Sequence, residues 1–242
     1  MIRNIINEIH FTLRQKLFSK MRLRWGSPAL VPLHALENEY EYYKRVLSKG
    51  MSLQQSQAIH QVLDIGCRNW SYARCIADFF PNARLTGVEV DGGRRYWNFY
   101  RRMDLARSYA HQIKNERRDI EVFEEDFRNL NILLHPQNVL FCFFFPFVSD
   151  NPCLGWGLPT RFADFSSLLL HSQELAQISG SQPSWLSSHQ GEWEAEEAER
   201  AYFQLGFQVR KTVLPMDPQL STRVVPYDTW IFSSVDPFVV NS

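Results

Sequence analysis

Two short apolar runs near the middle of the chain set its pattern. Val62-Leu63-Asp64-Ile65-Gly66-Cys67 is followed about twenty residues on by Leu85-Thr86-Gly87-Val88-Glu89-Val90-Asp91. Each is continuous rather than alternating, as strands buried on both faces are, and each ends in an acid or a glycine. Further runs predict strands at 120–125, 138–146, 184–189, 207–214 and 226–233. Apolar residues at three-to-four spacing predict helices between them. These cover 70–80, stopping before Pro81, then 93–115, 162–178 and 193–205. Ahead of this core, residues 1–25 and 36–48 also carry helical periodicity, the second closed by Gly50. Gly26, Pro28 and Pro32 mark 26–35 as a linker, and a Gly- and Pro-rich loop covers 147–160.

Strands alternating with helices predict an α/β fold with a parallel sheet. The end of the chain departs from that rule. The connection between 207–214 and 226–233 is too short for a crossover helix, so the last strand pairs antiparallel. The expected architecture is a Rossmann-like doubly wound sheet, mostly parallel with one antiparallel C-terminal strand, plus N-terminal helices. Its expected division is a helical extension over 1–50 and a binding domain over 51–242.

Composition narrows the function. The 242 residues are 45% hydrophobic, and Lys+Arg and Asp+Glu are both 26. A balanced charge argues against a dedicated nucleic-acid binder. Cys67, Cys75, Cys142 and Cys153 have neither metal-type nor paired spacing, so no metal is expected and a reducing cytoplasm is the natural setting. The longest apolar run, Val139 to Val148, is about half the ~20 residues of a membrane span.

The chemistry sits at the strand tips, where open α/β sheets bind ligands. Gly66 lets backbone approach a ligand without a Cβ in the way. Glu89 offers two oxygens to the two hydroxyls of a ribose. Asp126, after the third strand, reads either as a ligand contact or as the N-cap of the next helix. Asp64 has the alternative of capping the turn after it. A pyridine or flavin dinucleotide would need G-x-G-x-x-G to hold a pyrophosphate. This loop reads Gly66-Cys67-Arg68-Asn69-Trp70, which favours an adenosyl ligand without phosphate.

From about residue 60 to 233 the chain resembles the class I S-adenosylmethionine-dependent methyltransferases. The resemblance is to bacterial members with no assigned acceptor, through segments such as Gly155-Trp156-Gly157-Leu158-Pro159 and His189-Gln190-Gly191-Glu192. Val62 to Cys67 is similar to the family's first motif, and Glu89 matches its ribose-binding acid. Glu125-Asp126-Phe127 resembles the stretch that contacts adenine, and Phe145-Pro146-Phe147 the strand-four motif. The resemblance implies S-adenosyl-L-methionine as cofactor, held by Asp64, Gly66, Cys67, Arg68, Glu89, Val90, Asp126 and Phe127. One departure stands out: the family's first loop usually carries more glycines. Asn69 is expected to take the left-handed turn, and Arg68 to pair with the methionine carboxylate or else to crowd the pocket. Arg68-Asn69 keeps open a second reading, a non-catalytic S-adenosylmethionine- or adenosine-binding module acting as sensor or partner.

The acceptor is less legible. Asp150 and His189 follow strands four and five and are candidate bases. Asp150-Asn151-Pro152-Cys153 is not the Asn/Asp-Pro-Pro-Tyr sequence of amino-methylating nucleic-acid enzymes. The aromatic loop Pro146 to Pro159 suits a small hydrophobic or planar acceptor. Arg94, Arg95, Arg101 and Arg102 are expected on a solvated helix face, with RNA or lipid as the alternative. In residues 1–25, Ile2, Ile6, Ile9, Leu13, Leu17 and Met21 form an apolar stripe amid basic residues. That helix is expected to bury its stripe near the cofactor mouth, with a membrane surface or RNA as competing destinations.

Overall fold

The computed structural model describes residues 1–18, 33–96, 100–114, 119–217 and 227–234. Expectations for the rest of the N-terminal helix and its linker (19–32), for Phe99 and for residue 226 lie outside them.

Seven strands form one sheet: β1 (Gln61–Ile65), β2 (Arg84–Val88), β3 (Ile120–Phe123), β4 (Asn138–Phe144), β5 (Gln182–Gln190), β6 (Val209–Leu214) and β7 (Thr229–Ser234). Their order is β3-β2-β1-β4-β5-β7-β6. β7 alone runs against the others, paired antiparallel to both β5 and β6. The chain leaves β1 for β2 on one side and later returns to β4 on the other. That reversal of direction opens a crevice at the carboxyl ends of the strands.

β1 and β4 are buried almost end to end, which explains their unbroken apolar runs. Alternate residues feed two cores. Val62, Leu85, Leu140 and Leu186 face α2 (Leu33–Gly50), α4 (Ala73–Phe79) and α5 (Arg102–Lys114). Leu63, Val88, Phe141, Phe143 and Phe232 face α7 (Phe165–Ser179) and α8 (Gly191–Gln204). α2 belongs to the first core, with Val46 and Leu47 fully buried. Its Tyr43 ring stacks on Tyr72, centroids 3.8 Å apart. A short helix, α3 (Leu53–Ala58), precedes β1 and was missed, although its capping box of Ser52 and Gln55 is visible in the sequence.

Two differences bear on the site. The helix expected over 93–115 begins only at Arg102. Before it the chain folds back, with Arg94 N on Asp91 O, Tyr96 N on Tyr100 O and Arg102 N on Arg94 O. Tyr96 and Tyr100 therefore lie outside the helix. Arg101 and Arg102 are buried, not solvated. The second difference is α6 (Asp150–Gly155), a helical turn inside the expected 147–160 loop.

The N-terminal helix α1 (Ile2–Leu13) runs into a π-helical turn, Arg14–Phe18. It docks on α6 and the loop after it, but not by the expected face. Asn7 Nδ2 donates to Leu158 O (3.0 Å) and Leu154 O (3.3 Å), and Asn4 Oδ1 accepts from Thr160 N. Glu8 pairs with Arg161, and Phe11 packs on Phe162. Free backbone polar groups in the 154–160 loop required polar partners, so the amide-bearing face turned inward. No helix among the described residues is long and apolar enough to cross a membrane.

Candidate functional site

A cavity of about 330 Å³ lies at the carboxyl ends of β1 to β5, a size ordinary for a small-molecule cleft. Its first wall is the turn after β1. Gly66 sits at φ +81°, with nothing within 4 Å of where a Cβ would stand. The other positive-φ residues of the turn are Arg68 (55°) and Trp70 (52°), not Asn69. Tertiary packing offsets that backbone strain of about 1–3 kcal/mol a residue. Trp70 is fully buried, its indole N–H donates to Asp64 Oδ2 at 2.7 Å, and its ring lies against Gly87.

Asp64 and Cys67 therefore stand behind the turn rather than in the cavity. Both are fully buried. Desolvation lifts the Asp64 carboxyl to about 7, against the lowering pull of hydrogen bonds from Tyr72 and Trp70. Burial likewise pushes the Cys67 thiol well up, leaving it inert. Of the first-motif residues expected on the ligand, Gly66 and Arg68 line the cavity. Asp64 instead fixes the shape of the loop that carries them.

Glu89 follows β2 and lines the cavity while only 3% exposed. Its Oε2 accepts Arg68 N and its Oε1 accepts Asp91 N, both at 2.7 Å. A carboxylate has about four lone-pair sites, so roughly one on each oxygen is left for a ligand. Val90 lines the cavity beside it. Asp91, fully buried, gathers three guanidinium groups: Arg94 (2.6 Å), Arg14 (3.1 Å) and Arg102 (3.7 Å). Arg102 also reaches Glu89 at 3.6 Å. The N-terminal segment thus closes on the site itself, because Gln15 Nε2 donates to Val90 O at 2.7 Å and Arg14 Nη2 to Gly157 O.

Past β3, Asp126 and Phe127 also line the cavity. Asp126 is at the same time an N-cap, accepting Arg128 N at 3.1 Å, and pairs with the Arg128 guanidinium at 2.6 Å. Opposite stand Phe144, Phe145, Pro146, Phe147, Trp156 and Phe162. The Trp156 ring has two guanidinium groups near it, Arg68 and Arg102, each 5.8 Å from its centroid.

Neither candidate base reaches this space. Asp150 opens α6 and is exposed, away from the cavity wall. His189 is fully buried between Phe165 and Phe232, its Nε2 2.9 Å from Ser187 Oγ. Burial lowers its pKa to about 3. Strand alternation explains the miss: with His189 turned into the core, its neighbour Gln190 takes the cavity side. Gln190 and Glu194 line that end, where Glu194 Oε2 accepts Gln190 N at 3.0 Å. Burial raises the Glu194 pKa, and that backbone bond pulls it back down. Sequence reasoning missed Arg102, Gln190 and Glu194. The signal for Arg102 was the pair Glu89 and Asp91, two acids that need a buried cation. Among the described residues no cluster suited to a metal ion occurs.

A parallel sheet ordered in this way, with only β7 reversed between β5 and β6, is the fold of the class I S-adenosylmethionine-dependent methyltransferases. No family model matches the sequence, and no curated protein does. Among solved structures, the chain is similar to magnesium protoporphyrin IX methyltransferase from Synechocystis PCC 6803 with bound S-adenosylmethionine. That match has 14% identity over 97% of this chain and 94% of that one, with a TM-score of 0.48. It is also similar to precorrin-6y C5,15-methyltransferase from Geobacter metallireducens GS-15, at 14% identity over 81% and 88% of the two chains and a TM-score of 0.48. A methyltransferase from Aquifex aeolicus overlaps at 10% identity over 86% and 100%, with a TM-score of 0.49. Likeness at that level adds nothing to what the strand order already gives.

Proposed function

We propose that the cavity binds S-adenosyl-L-methionine and that the protein transfers its methyl group to a small hydrophobic or planar acceptor. The observation that carries this reading is the Glu89 carboxylate, fixed by two backbone N–H groups at the cavity wall beside Gly66, with acceptor capacity to spare. That arrangement fits a ribose diol. Val90 and Phe127 offer apolar surface to an adenine ring, and Asp126 an acceptor for its amino group. Arg68 suits the methionine carboxylate, because its guanidinium is held against Trp156 at the cavity wall.

The bound cofactor supplies an electrophilic methyl carbon on a sulfonium, attacked in line. The chain's own contribution is proximity and alignment, which supply up to ~7–11 kcal/mol in favourable cases. Phe145, Phe147 and Trp156 would stack on a planar acceptor and keep water away. Glu194, not Asp150 or His189, is the lining carboxylate suited to taking an acceptor proton, since burial has raised its pKa.

Calorimetry with S-adenosylhomocysteine and S-adenosylmethionine tests the reading. Micromolar binding is expected, about −8 kcal/mol. Mass spectrometry of small molecules co-purifying with the protein should show the same ligand. Absence of heat and of thermal shift with either, alongside stabilisation by NAD, would overturn it.

A further inference from the structure

The face by which α1 docks leaves its other face uncovered. Asn4, Asn7, Glu8, Phe11, Arg14 and Gln15 point at the protein. At 100° per residue the opposite side carries Ile2, Ile5, Ile6, Ile9 and Leu13. These five are between 45% and 72% exposed. A single exposed leucine is ordinary, but five large aliphatic side chains in one stripe are not. Exposed Arg3, His10 and Lys16 border the stripe.

Charge decides what suits this face. Through residue 36 the sequence holds Arg3, Arg14, Lys16, Lys20, Arg22 and Arg24 against one acid, Glu8. Glu8 is already paired with Arg161, and Arg14 with Asp91, on the docked side. The whole chain is neutral, so this is a local excess. A second copy of α1 would bring Arg3 and Lys16 against their own kind with no acid to meet them. An apolar stripe edged by cations and free of acids complements an anionic lipid surface, where the aliphatic chains enter the headgroup boundary and the cations meet phosphates.

We propose that α1 lies between the protein and an anionic membrane, its amide face on the 154–161 loop and its isoleucine face in the lipid interface. The same segment reaches the cavity rim through Gln15 on Val90 O and Arg14 on Asp91 and Gly157. Lipid contact therefore holds in place the element that borders the site. This inference stands whatever ligand the cavity takes.

Flotation of the full-length protein with vesicles of phosphatidylcholine plus phosphatidylglycerol, against phosphatidylcholine alone, is the test. Binding is expected to the anionic vesicles, weakening as salt is raised. The double variant Ile5→Glu, Ile9→Glu should lose about tenfold or more of that binding. It should keep a melting temperature close to wild type, because both side chains are already half exposed. Arg3→Glu with Lys16→Glu should weaken binding while leaving the apolar stripe intact. Failure of the wild-type protein to float overturns the proposal, as does undiminished binding by the isoleucine variant. A dimer in sedimentation equilibrium that the isoleucine variant dissolves, with no vesicle binding, would assign the face to a second copy instead.

Discussion

In Glu89→Gln the side chain keeps its length and one carbonyl oxygen but loses its charge and one acceptor. The structure shows what each loss does. Both backbone donors, Arg68 N and Asp91 N, now bond carboxylate oxygens at 2.7 Å. The amide oxygen can serve one of them, and its NH2 then faces the other. A buried donor left unpaired costs about 1–3 kcal/mol, so some loss of stability is expected. Arg102 keeps a counter-charge in Asp91, which limits that loss. Cofactor affinity should suffer more. Of two charge-assisted ribose bonds at about 1.5–3 kcal/mol each, one disappears and the other becomes neutral. The net is roughly 2–4 kcal/mol, or a weakening of about 30- to 700-fold. Glutamine is preferred to alanine because alanine would orphan both backbone donors and empty the space beside Arg102. Calorimetric titration with S-adenosylhomocysteine, on protein shown folded by its melting curve, reads the effect. A folded variant that binds within about threefold of wild type would refute the assignment of Glu89 to the ribose.

Asp126→Ala should weaken the cofactor less, by about tenfold, because it removes one bond rather than two and Arg128 already competes for that carboxylate, which keeps the loss near the low end of the about 1.5–3 kcal/mol of a charge-assisted bond. The same titration ranks the two, and a loss larger than that of Glu89→Gln would reverse their roles. Two buried groups should also give opposed pH slopes to stability. The Asp64 pKa is raised from 3.8 to about 7, so its contribution is full below pH 4 and lost as pH rises towards 7. The His189 pKa is lowered from 6.5 to about 3, so its contribution is full above pH 6.5 and lost as pH falls towards 3. Between about pH 4 and 6.5 they offset each other. Urea unfolding across that range should show stability rising with pH in Asp64→Asn and falling in His189→Gln; identical slopes in both variants would contradict the buried titrations.

The centre of the sheet was legible in the sequence because its strands there are buried on both faces. Val62 to Ile65, Leu85 to Val88 and Val139 to Phe144 have no solvated side to encode, so they read as unbroken apolar runs. The antiparallel end came from chain length alone, since 207–214 and 226–233 are too close for a crossover. The place of Glu89 at the cavity wall was legible for a related reason: it ends a buried strand, and the tips of such strands border the crevice. Local sequence signals also existed for elements that were passed over, as the Ser52 and Gln55 capping box of α3 shows.

Only the tertiary structure decided which way side chains turn once neighbours compete for them. Asp64 lies in β1 where a ligand-binding acid would, yet the indole of Trp70 claims it and puts the strained turn at Arg68 and Trp70 instead of Asn69. His189 and Gln190 are adjacent in sequence, and the pleat of β5 sends one to the core and the other to the cavity. The helix expected from residue 93 starts only at Arg102, with Asp91 holding both Arg94 and Arg102. Periodicity in α1 identified an apolar stripe but not its destination, and Leu158 O and Thr160 N, which lack backbone partners, drew in its amide face. The amino-acid pattern determined where strands and helices form, because burial of apolar area is additive along the chain. Buried polar groups also draw on partners distant in sequence, such as Arg14 for Asp91 and Asn7 for Leu158 O, so which pairings win, and with them the shape of the site, was settled only by the fold.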